Sequence, residues 1–295
     1  MLSSRAMAFA LIRAMRPRQW VKNLFVLAPL VFSKSLLDTE ATTRGLTAFA
    51  LFCAAASAIY LINDVADAES DRAHPQKRKR PIASGELSPR VAIAAAVALG
   101  IGALASAFLV STALAAILAA YFALNFAYSS GLKRIPYVDV ICIAAGFELR
   151  VAAGAVAAAV PASIYLLLAT FFLASFLGLG KRMHEFGQTR AEIQRAVLAR
   201  YDQRVLSRLL VLFGAAPIAI YVAYVIDPDT REVFESRLLP FTTVFAVIGV
   251  VRFLQLTKSQ RDTEGPTEAM LRDPLFLGNF LAWSGSMLFM LYGRG

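Results

Sequence analysis

An apolar run of the chain ends in the acidic stretch Asn63-Asp64-Val65-Ala66-Asp67-Ala68-Glu69-Ser70-Asp71, and the basic stretch His74-Pro75-Gln76-Lys77-Arg78-Lys79-Arg80-Pro81 follows it. The three aspartates stand at positions i, i+3 and i+7, which lie on one face of a helix. Neighbouring carboxylates on such a face are about 5–6 Å apart and repel each other by roughly 3 kcal/mol at an effective dielectric constant near 20. The spacing therefore predicts that a cation holds them together.

Magnesium is the cation that this pattern favours, because it is usually bound by one or two carboxylates together with substrate phosphates. The basic residues that follow the aspartates can hold the remaining phosphate charge. The chemistry that this pairing of acidic and basic stretches indicates is the displacement of a diphosphate leaving group.

Composition places this chemistry in a membrane. The 295 residues are 58% hydrophobic and only 17% charged, which is far more apolar than a soluble domain. Nine apolar stretches are long enough to cross about 30 Å of hydrocarbon as helices. They lie near residues 20–37, 45–63, 91–110, 112–129, 138–159, 161–180, 207–226, 238–256 and 275–292. The sequence therefore predicts an all-α polytopic membrane protein with nine transmembrane helices in one domain, residues 1–295.

The net charge of +10 would suggest a nucleic-acid partner in a soluble protein. Here most of the 30 Lys and Arg residues fall in alternate segments between the spans, which predicts that the N-terminus and the acidic stretch face the cytoplasm. We expect a multi-pass protein of the cytoplasmic membrane and no nucleic-acid partner. Residues 1–18 are predicted to form an interfacial helix. Residues 64–90 and 181–206 are predicted to be the cytoplasmic loops that meet water-soluble substrates.

The acidic stretch resembles the first signature of the UbiA superfamily of intramembrane prenyltransferases. The resemblance rests on Asn63-Asp64-x-x-Asp67-x-x-x-Asp71, then His74-Pro75, Lys77 and Arg80-Pro81-Ile82-Ala83-Ser84-Gly85. It implies nine helices around a central cavity that opens to lipid, with magnesium and the donor diphosphate bound at the Asn/Asp face. On this basis Asn63, Asp67 and Asp71 are expected to bind magnesium, with Asp64 on a second ion or in the outer shell. Asp64, Asp67 and Asp71 are the predicted catalytic residues, and the number of ions stays open.

Further motifs resemble the decaprenyl-phosphate phosphoribosyltransferase branch of that superfamily. They are Arg16-Pro17-Arg18-Gln19-Trp20-Val21-Lys22-Asn23, Tyr128-Ser129-x-x-Leu132-Lys133 with Asp139 beyond it, Gly146-Phe147-x-x-Arg150, and Gly180-Lys181-Arg182-x-x-Glu185. The resemblance runs from about residue 16 to about residue 205. It implies transfer of 5-phosphoribose from phosphoribosyl pyrophosphate to a polyprenyl phosphate, with release of pyrophosphate.

Several residues are predicted to bind substrate phosphates or to line the cavity. The predicted phosphate ligands are Arg18, Lys22, Lys77, Arg80, Tyr128, Lys133, Arg150, Lys181 and Arg182, and the further cavity residues are Asp139 and Glu185. Arg150 lies within a predicted span, where a charged side chain costs at least about 2.5 kcal/mol and normally faces a cavity or a partner. The basic residues beside Trp20, which are Arg16, Arg18 and Lys22, can equally bind a phosphate or anchor the chain at the membrane interface. Arg182 and Glu185, at i and i+3, can also simply pair with each other.

Two other functions stay open. A UbiA-type prenyltransferase that acts on an aromatic or other small acceptor shares the first motif, but such enzymes usually carry a second Asp-rich motif after the sixth span. Here that loop begins Lys181-Arg182-Met183-His184-Glu185, and fixed cations suit a site that must hold a diphosphate, a ribose 5-phosphate and a lipid phosphate. A transporter whose acidic face binds a permeating cation is the second alternative, although neither broken helices nor internal repeats stand out.

Overall fold

The computed structural model describes residues 4–186, 200–258 and 266–292, and this part of the chain consists of helices joined by turns and short loops. The α-helices are α1 (Ser4–Ala14), α2 (Ala28–Phe32), α3 (Thr39–Ala66), α4 (Ala68–Ala73), α5 (Pro89–Val110), α6 (Thr112–Ser130), α7 (Val138–Ala158), α8 (Ile164–Phe186), α9 (Gln203–Ile226), α10 (Pro228–Phe234), α11 (Thr243–Lys258), α12 (Pro266–Met270) and α13 (Pro274–Tyr292). Shorter 3-10 helices are Lys77–Lys79, Leu132–Arg134 and Leu239–Thr242, and a longer one is Pro17–Leu27.

Eight of the described helices are long and apolar enough to cross a membrane. They are α3, α5, α6, α7, α8, α9, α11 with the 3-10 helix before it, and α13. These helices match the second to the ninth predicted spans. The chain is therefore a multi-pass membrane protein, as its composition predicts. A helix also forms near the N-terminus as α1, while its interfacial position stays a prediction.

The first predicted span, residues 20–37, differs from the others because it is not a regular α-helix. It begins within the 3-10 helix Pro17–Leu27, continues as α2 and ends in turns. At about 2.0 Å per 3-10 residue and 1.5 Å per α-helical residue, these two helices together rise about 30 Å. The 3-10 helix packs closely on α7, where a side chain at Gly154 would overlap the Val26 carbonyl. Its length thus permits a crossing, but the count of nine α-helical spans is approximate.

One compact unit comprises Met1–Ser129 and Leu149–Ala162, and is called unit 1 here. Its core lies between α3, α5, α6 and the second half of α7, where large side chains such as Phe52 and Leu118 are buried among alanines such as Ala153. Small residues allow membrane helices to approach each other closely. The alanine-rich spans therefore pack closely together, and the acidic stretch begins at the end of one of them, α3.

The loop that carries the basic stretch is folded onto this unit. α3 extends to Ala66 and α4 follows, so the predicted loop 64–90 is partly helical. Ile82 and Leu87 are buried in a cluster with α1, α3 and α5. Gly85 has a φ of +83°, a backbone conformation that glycine adopts readily. The chain immediately after Arg80 is therefore fixed by apolar burial.

The other compact unit comprises Ser130–Glu148 and Ser163–Gly295, and is called unit 2. In it α8 packs along α9 and α11, with Phe176 and Phe253 buried in the core. The predicted loop 181–206 begins as the last turns of α8, and its residues 187–199 lie outside the described residues. The single domain expected from the sequence stays a prediction.

Candidate active site

The aspartates of the acidic stretch lie across the junction of α3 and α4. Asp67 is the residue between the two helices. Helical hydrogen bonding continues through the junction, since the Asp67 amide donates to the Asn63 carbonyl at 2.9 Å and the Asp71 amide donates to the Asp67 carbonyl at 2.8 Å. Asp64 and Asp71 are buried, whereas Asp67 is half-buried. The i, i+3, i+7 spacing that the sequence predicts is therefore kept across the junction.

Two arginines contact the buried carboxylates. Arg80 Nη1 donates to Asp71 Oδ2 at 2.6 Å and to Asp64 Oδ1 at 3.1 Å. Arg16 Nη2 donates to the same Oδ1 atom of Asp64 at 2.5 Å. The repulsion expected between the carboxylates is thus balanced by guanidinium groups. Among the residues that the structure describes, no group of three or more His, Cys, Asp or Glu side chains is arranged to hold a metal ion.

The side chains of Asn63, Asp64, Asp67 and Asp71, called the acidic face here, nevertheless have a donor chemistry that suits magnesium. Asn63 offers an amide oxygen and the aspartates offer carboxylate oxygens, which are the hard ligands that magnesium takes. Ser129 Oγ of α6 donates to Asn63 Oδ1 at 3.1 Å and thereby orients that amide. The arginines contact Asp64 Oδ1 and Asp71 Oδ2, so these two atoms can bind the ion only if the arginines share or release them. The residue types therefore fit magnesium, while the present contacts are made by Arg16 and Arg80.

Arg16 has an unusual backbone conformation. Its φ of 56° and ψ of 60° lie in the left-handed region, which residues other than glycine rarely adopt. The residue immediately precedes the 3-10 helix Pro17–Leu27, and its guanidinium carbon lies 5.0 Å from the centre of the Tyr60 ring. Tyr60 and Asp64 are about one turn apart on α3 and hold the Arg16 side chain together. Backbone strain of this kind persists when the surrounding contacts fix it, and it is common at functional sites.

A second group of buried charges lies in unit 2. Asp139 accepts hydrogen bonds from Arg182 Nε at 2.6 Å and from the Tyr201 hydroxyl. Arg182 Nη1 also donates to Glu185 Oε2 at 2.5 Å, so the i, i+3 pair considered from the sequence is present. Burial raises the pKa of Tyr201, which keeps its hydroxyl protonated as a donor to Asp139. The backbone amide of Tyr137 donates to the same hydroxyl at 2.9 Å.

Arg150, in the second half of α7, is buried within unit 1. Its Nε donates to Asn23 Oδ1 at 2.8 Å and its Nη2 donates to the Tyr121 hydroxyl at 2.7 Å. Asn23 Nδ2 in turn contacts Cys53 Sγ at 3.2 Å. Arg150 thereby ties the 3-10 helix to α6. The partner that a charged residue within a span requires is supplied in part by an amide and a phenol.

Comparison with known proteins adds what geometry alone does not give. Residues 25–280 match the model of the UbiA prenyltransferase family. The chain belongs to this family. A decaprenyl-phosphate phosphoribosyltransferase from Mycolicibacterium smegmatis is 34% identical over 294 residues, which cover 96% of this chain and 92% of that protein. A protein of the same name from Corynebacterium glutamicum is 34% identical over 300 residues, which cover 97% of this chain and 88% of that protein.

A solved structure of a UbiA homologue has the same fold. The homologue from Archaeoglobus fulgidus bound to GPP and Mg2+ gives a TM-score of 0.70 and covers 95% of this chain and 99% of its own. The two sequences are 17% identical, so the likeness concerns the fold. The UbiA-like fold predicted from the sequence is thereby confirmed.

The other predicted phosphate ligands of this UbiA family member differ in exposure. Arg18 and Lys77 are exposed, Lys22, Arg80, Tyr128, Lys133 and Lys181 are half-buried, and Arg150 and Arg182 are buried. Binding of phosphate by each of them stays a prediction. In the structure two carboxylates already contact the guanidinium group of Arg182, so a phosphate would have to compete with them.

Two residues near the acidic face were not predicted from the sequence to be site residues. Tyr60 lies four positions before Asp64 on α3, so helical spacing could have indicated it. Ser129 contacts Asn63 although the two residues are 66 positions apart, and the only sequence signal for Ser129 is its position beside Tyr128 in a motif. The UbiA motifs therefore point to the site, while its supporting contacts come from the structure.

Proposed function

We propose that this chain transfers 5-phosphoribose from phosphoribosyl pyrophosphate to a polyprenyl phosphate and releases pyrophosphate. The observation that carries the proposal is the 34% identity to decaprenyl-phosphate phosphoribosyltransferases over almost the full length of both chains. The motif resemblances described above imply the same function. A likeness of this extent includes both units and is not confined to the motif that all UbiA proteins share.

The reaction forms a bond between an oxygen of the lipid phosphate and C1 of the ribose, and breaks the bond between C1 and the diphosphate. The electron pair of the broken bond leaves with pyrophosphate. A lipid phosphate is already anionic at neutral pH, so it needs no strong general base. Positioning and charge stabilisation therefore supply most of the rate.

Magnesium is the cofactor that Asn63, Asp64, Asp67 and Asp71 would hold. When bound, it neutralises the negative charge that develops on the leaving pyrophosphate. The hard-oxygen donor set supports this assignment, and so does the bound Mg2+ of the Archaeoglobus fulgidus UbiA homologue. In this chain Ser129 orients the Asn63 amide oxygen, and the half-buried carboxylate of Asp67 remains accessible to an incoming ion.

Arg80 and Lys77 are the residues of the basic stretch that we assign to the donor phosphates. Arg80 lies on Asp64 and Asp71, and about a quarter of its side chain is exposed. Lys77 is exposed on the 3-10 helix that ends just before Arg80. A guanidinium group can bind two phosphate oxygens at once, whereas a lysine acts as a point charge. The pair therefore suits the diphosphate of the donor.

We place this reaction at the cytoplasmic face of the plasma membrane, with the N-terminus in the cytoplasm. The distribution of Lys and Arg residues supports that orientation. A water-soluble donor would reach the acidic face from the loop side, and the lipid acceptor would reach it from the bilayer.

The test is an assay of the detergent-solubilised chain with labelled phosphoribosyl pyrophosphate, a polyprenyl phosphate and magnesium. We expect label to enter the lipid fraction, to be lost when magnesium is chelated, and to be lost in Asp67→Asn but not in the exposed control Glu69→Gln. A parallel assay contains a prenyl diphosphate and 4-hydroxybenzoate. Transfer only in that second assay would identify an aromatic prenyltransferase and refute the proposal, and ion flux through liposomes would favour the transporter alternative.

A further inference from the structure

The acidic face already contains the charge that a magnesium ion would bring. Arg16 and Arg80 place two positive charges on Asp64 and Asp71, and one Mg2+ carries the same charge. We infer that Arg16 and Arg80 are exchangeable counter-ions, which neutralise the carboxylates until magnesium binds and then move to the diphosphate of the donor. The second half of this inference rests on the proposed function, because it assigns the released arginines to that donor.

Exposure indicates which partners move in this exchange. The Asp64 and Asp71 side chains are 2% and 3% exposed, whereas those of Arg16 and Arg80 are 30% and 26% exposed. A buried carboxylate that loses its cation pays a large desolvation penalty. A partly exposed arginine can instead turn to water or to a phosphate. The carboxylates are therefore the fixed part of the site, and the arginines are the part that can leave once another cation has arrived.

The geometry of the contacts supports an exchange rather than a permanent pairing. Both contacts of Arg80 with the aspartates come from the single atom Nη1, and Arg16 contacts Asp64 through Nη2 alone. Both arginines also share one oxygen atom, Asp64 Oδ1. The strongest pairing of a guanidinium group uses two parallel N–H donors on two oxygens. A diphosphate offers that arrangement, so both arginines would improve their hydrogen bonding by changing partner.

Both arginines also stand where a side chain can reorient without breaking a helix. Arg80 is the residue at which the 3-10 helix Lys77–Lys79 ends, and its backbone is extended. Arg16 precedes the longer 3-10 helix in a left-handed conformation that the Asp64 and Tyr60 contacts help to hold. Release of Arg16 from Asp64 therefore removes one of the contacts that maintain a strained backbone.

The test compares the affinity for a metal ion with the affinity for the donor. If the arginines had only a structural role, their loss would change both affinities in the same direction. Binding of Mn2+ to the detergent-solubilised full chain is measured by electron paramagnetic resonance without donor or lipid. Binding of labelled phosphoribosyl pyrophosphate is measured at saturating Mg2+. We expect Arg80→Gln and Arg16→Gln to bind Mn2+ about tenfold more tightly and phosphoribosyl pyrophosphate about tenfold more weakly than the natural chain, a coupling of ordinary size.

Two other arginines provide matched controls. Arg13 forms an exposed ion pair with Glu86, and Arg78 is exposed two positions before Arg80. We expect Arg13→Gln and Arg78→Gln to leave both affinities unchanged. Arg80→Lys keeps the positive charge but not the planar fork. It should keep the natural Mn2+ affinity and still bind phosphoribosyl pyrophosphate weakly. If Arg80→Gln does not fold, Arg16→Gln alone decides the Mn2+ test.

Mn2+ binding that is unchanged or weaker in both glutamine variants overturns the inference, because the arginines would then not compete with the metal. The same holds if donor binding is unaffected, since the arginines would then not move to the diphosphate. The Mn2+ measurement contains neither donor nor acceptor. A natural chain that fails to bind phosphoribosyl pyrophosphate would therefore refute the proposed function, while the Mn2+ result would still decide the exchange.

Discussion

The charged groups of the two units are built from the same residue types but differ in how far water reaches their arginines. In unit 1 about a quarter to a third of the Arg16 and Arg80 side chains is exposed above buried aspartates. In unit 2 Arg182 is 2% exposed and Asp139 is fully buried. An arginine that water reaches can change partners. An arginine that is buried with its carboxylate cannot do so without a large free-energy cost, because both charges would lose their partner away from water. On this difference in exposure we base the proposal that the charged group of unit 1 binds ligands, whereas that of unit 2, called the clamp here, stabilises the fold.

The clamp in unit 2 joins three segments at one carboxylate. Asp139 lies in the first turn of α7, Arg182 lies near the end of α8, and Tyr201 lies just before α9. Both segments beyond α7 are thus held by hydrogen bonds to Asp139. This arrangement favours a role for Arg182 in stability, in contrast to the phosphate ligand expected from the sequence.

The largest expected effect is the loss of stability on removal of the buried guanidinium. Arg182→Gln removes the guanidinium group that contacts the fully buried Asp139, and we expect it to lower the free energy of unfolding by about 3–5 kcal/mol. Thermal unfolding in detergent measures this loss. Arg208→Gln, an exposed arginine of α9, is the matched control and should change stability little. A stable Arg182→Gln with a raised KM for phosphoribosyl pyrophosphate would instead support the predicted phosphate role.

The opposite pattern is expected for the acidic face of unit 1. Asp71→Asn keeps the shape of the side chain but removes a charge that we assign to the metal and its diphosphate, so transfer should fall roughly 10²–10³-fold. The unfolding temperature should change far less than in Arg182→Gln. Glu69→Gln, an exposed acid on the same short helix, is the control for transfer. Full turnover of Asp71→Asn at saturating magnesium would remove Asp71 from the site.

Hydropathy and helical spacing predict much of this molecule, because both are local properties of the chain. Stretches of apolar residues locate the eight long helices, and the i, i+3, i+7 pattern predicts that the acidic stretch needs a cation. The first span is different, since a 3-10 helix and an α-helix have similar apolar content. Its structure depends on packing against Gly154, which no local pattern contains.

Pairing of distant charges is the part that the sequence could not supply. Arg16 meets Asp64 across 48 positions, and Arg182 meets Asp139 across 43. Each of these arginines lies in a motif, so the sequence predicts that it is a functional residue. The sequence does not predict which carboxylate it contacts, because many carboxylates are available and only the fold brings one of them close. The distinction between a ligand-binding arginine and a clamping arginine therefore requires coordinates.

A smaller effect is expected from the hydroxyl that completes the clamp. Tyr201→Phe removes one donor to Asp139 and the acceptor of the Tyr137 amide, and should lower the free energy of unfolding by about 1–2 kcal/mol. In combination with Arg182→Gln the loss should differ from the sum of the two single losses, because both residues share Asp139. Strict additivity in thermal unfolding would show that Asp139 does not couple them.

The smallest effect is expected where both partners are exposed, at the pair of Arg13 and Glu86, whose side chains are each 43% exposed. The hydrogen bond from Arg13 lowers the pKa of Glu86 in the folded chain. Its contribution is therefore complete above the unfolded pKa of about 4.3 and is lost as the pH falls through the folded value. We expect Glu86→Gln to cost at most about 0.5 kcal/mol at pH 7, less in high salt, and nothing in acid. If unfolding measurements gave this exposed pair a cost as large as that of Arg182→Gln, exposure could not be what distinguishes the clamp from the acidic face.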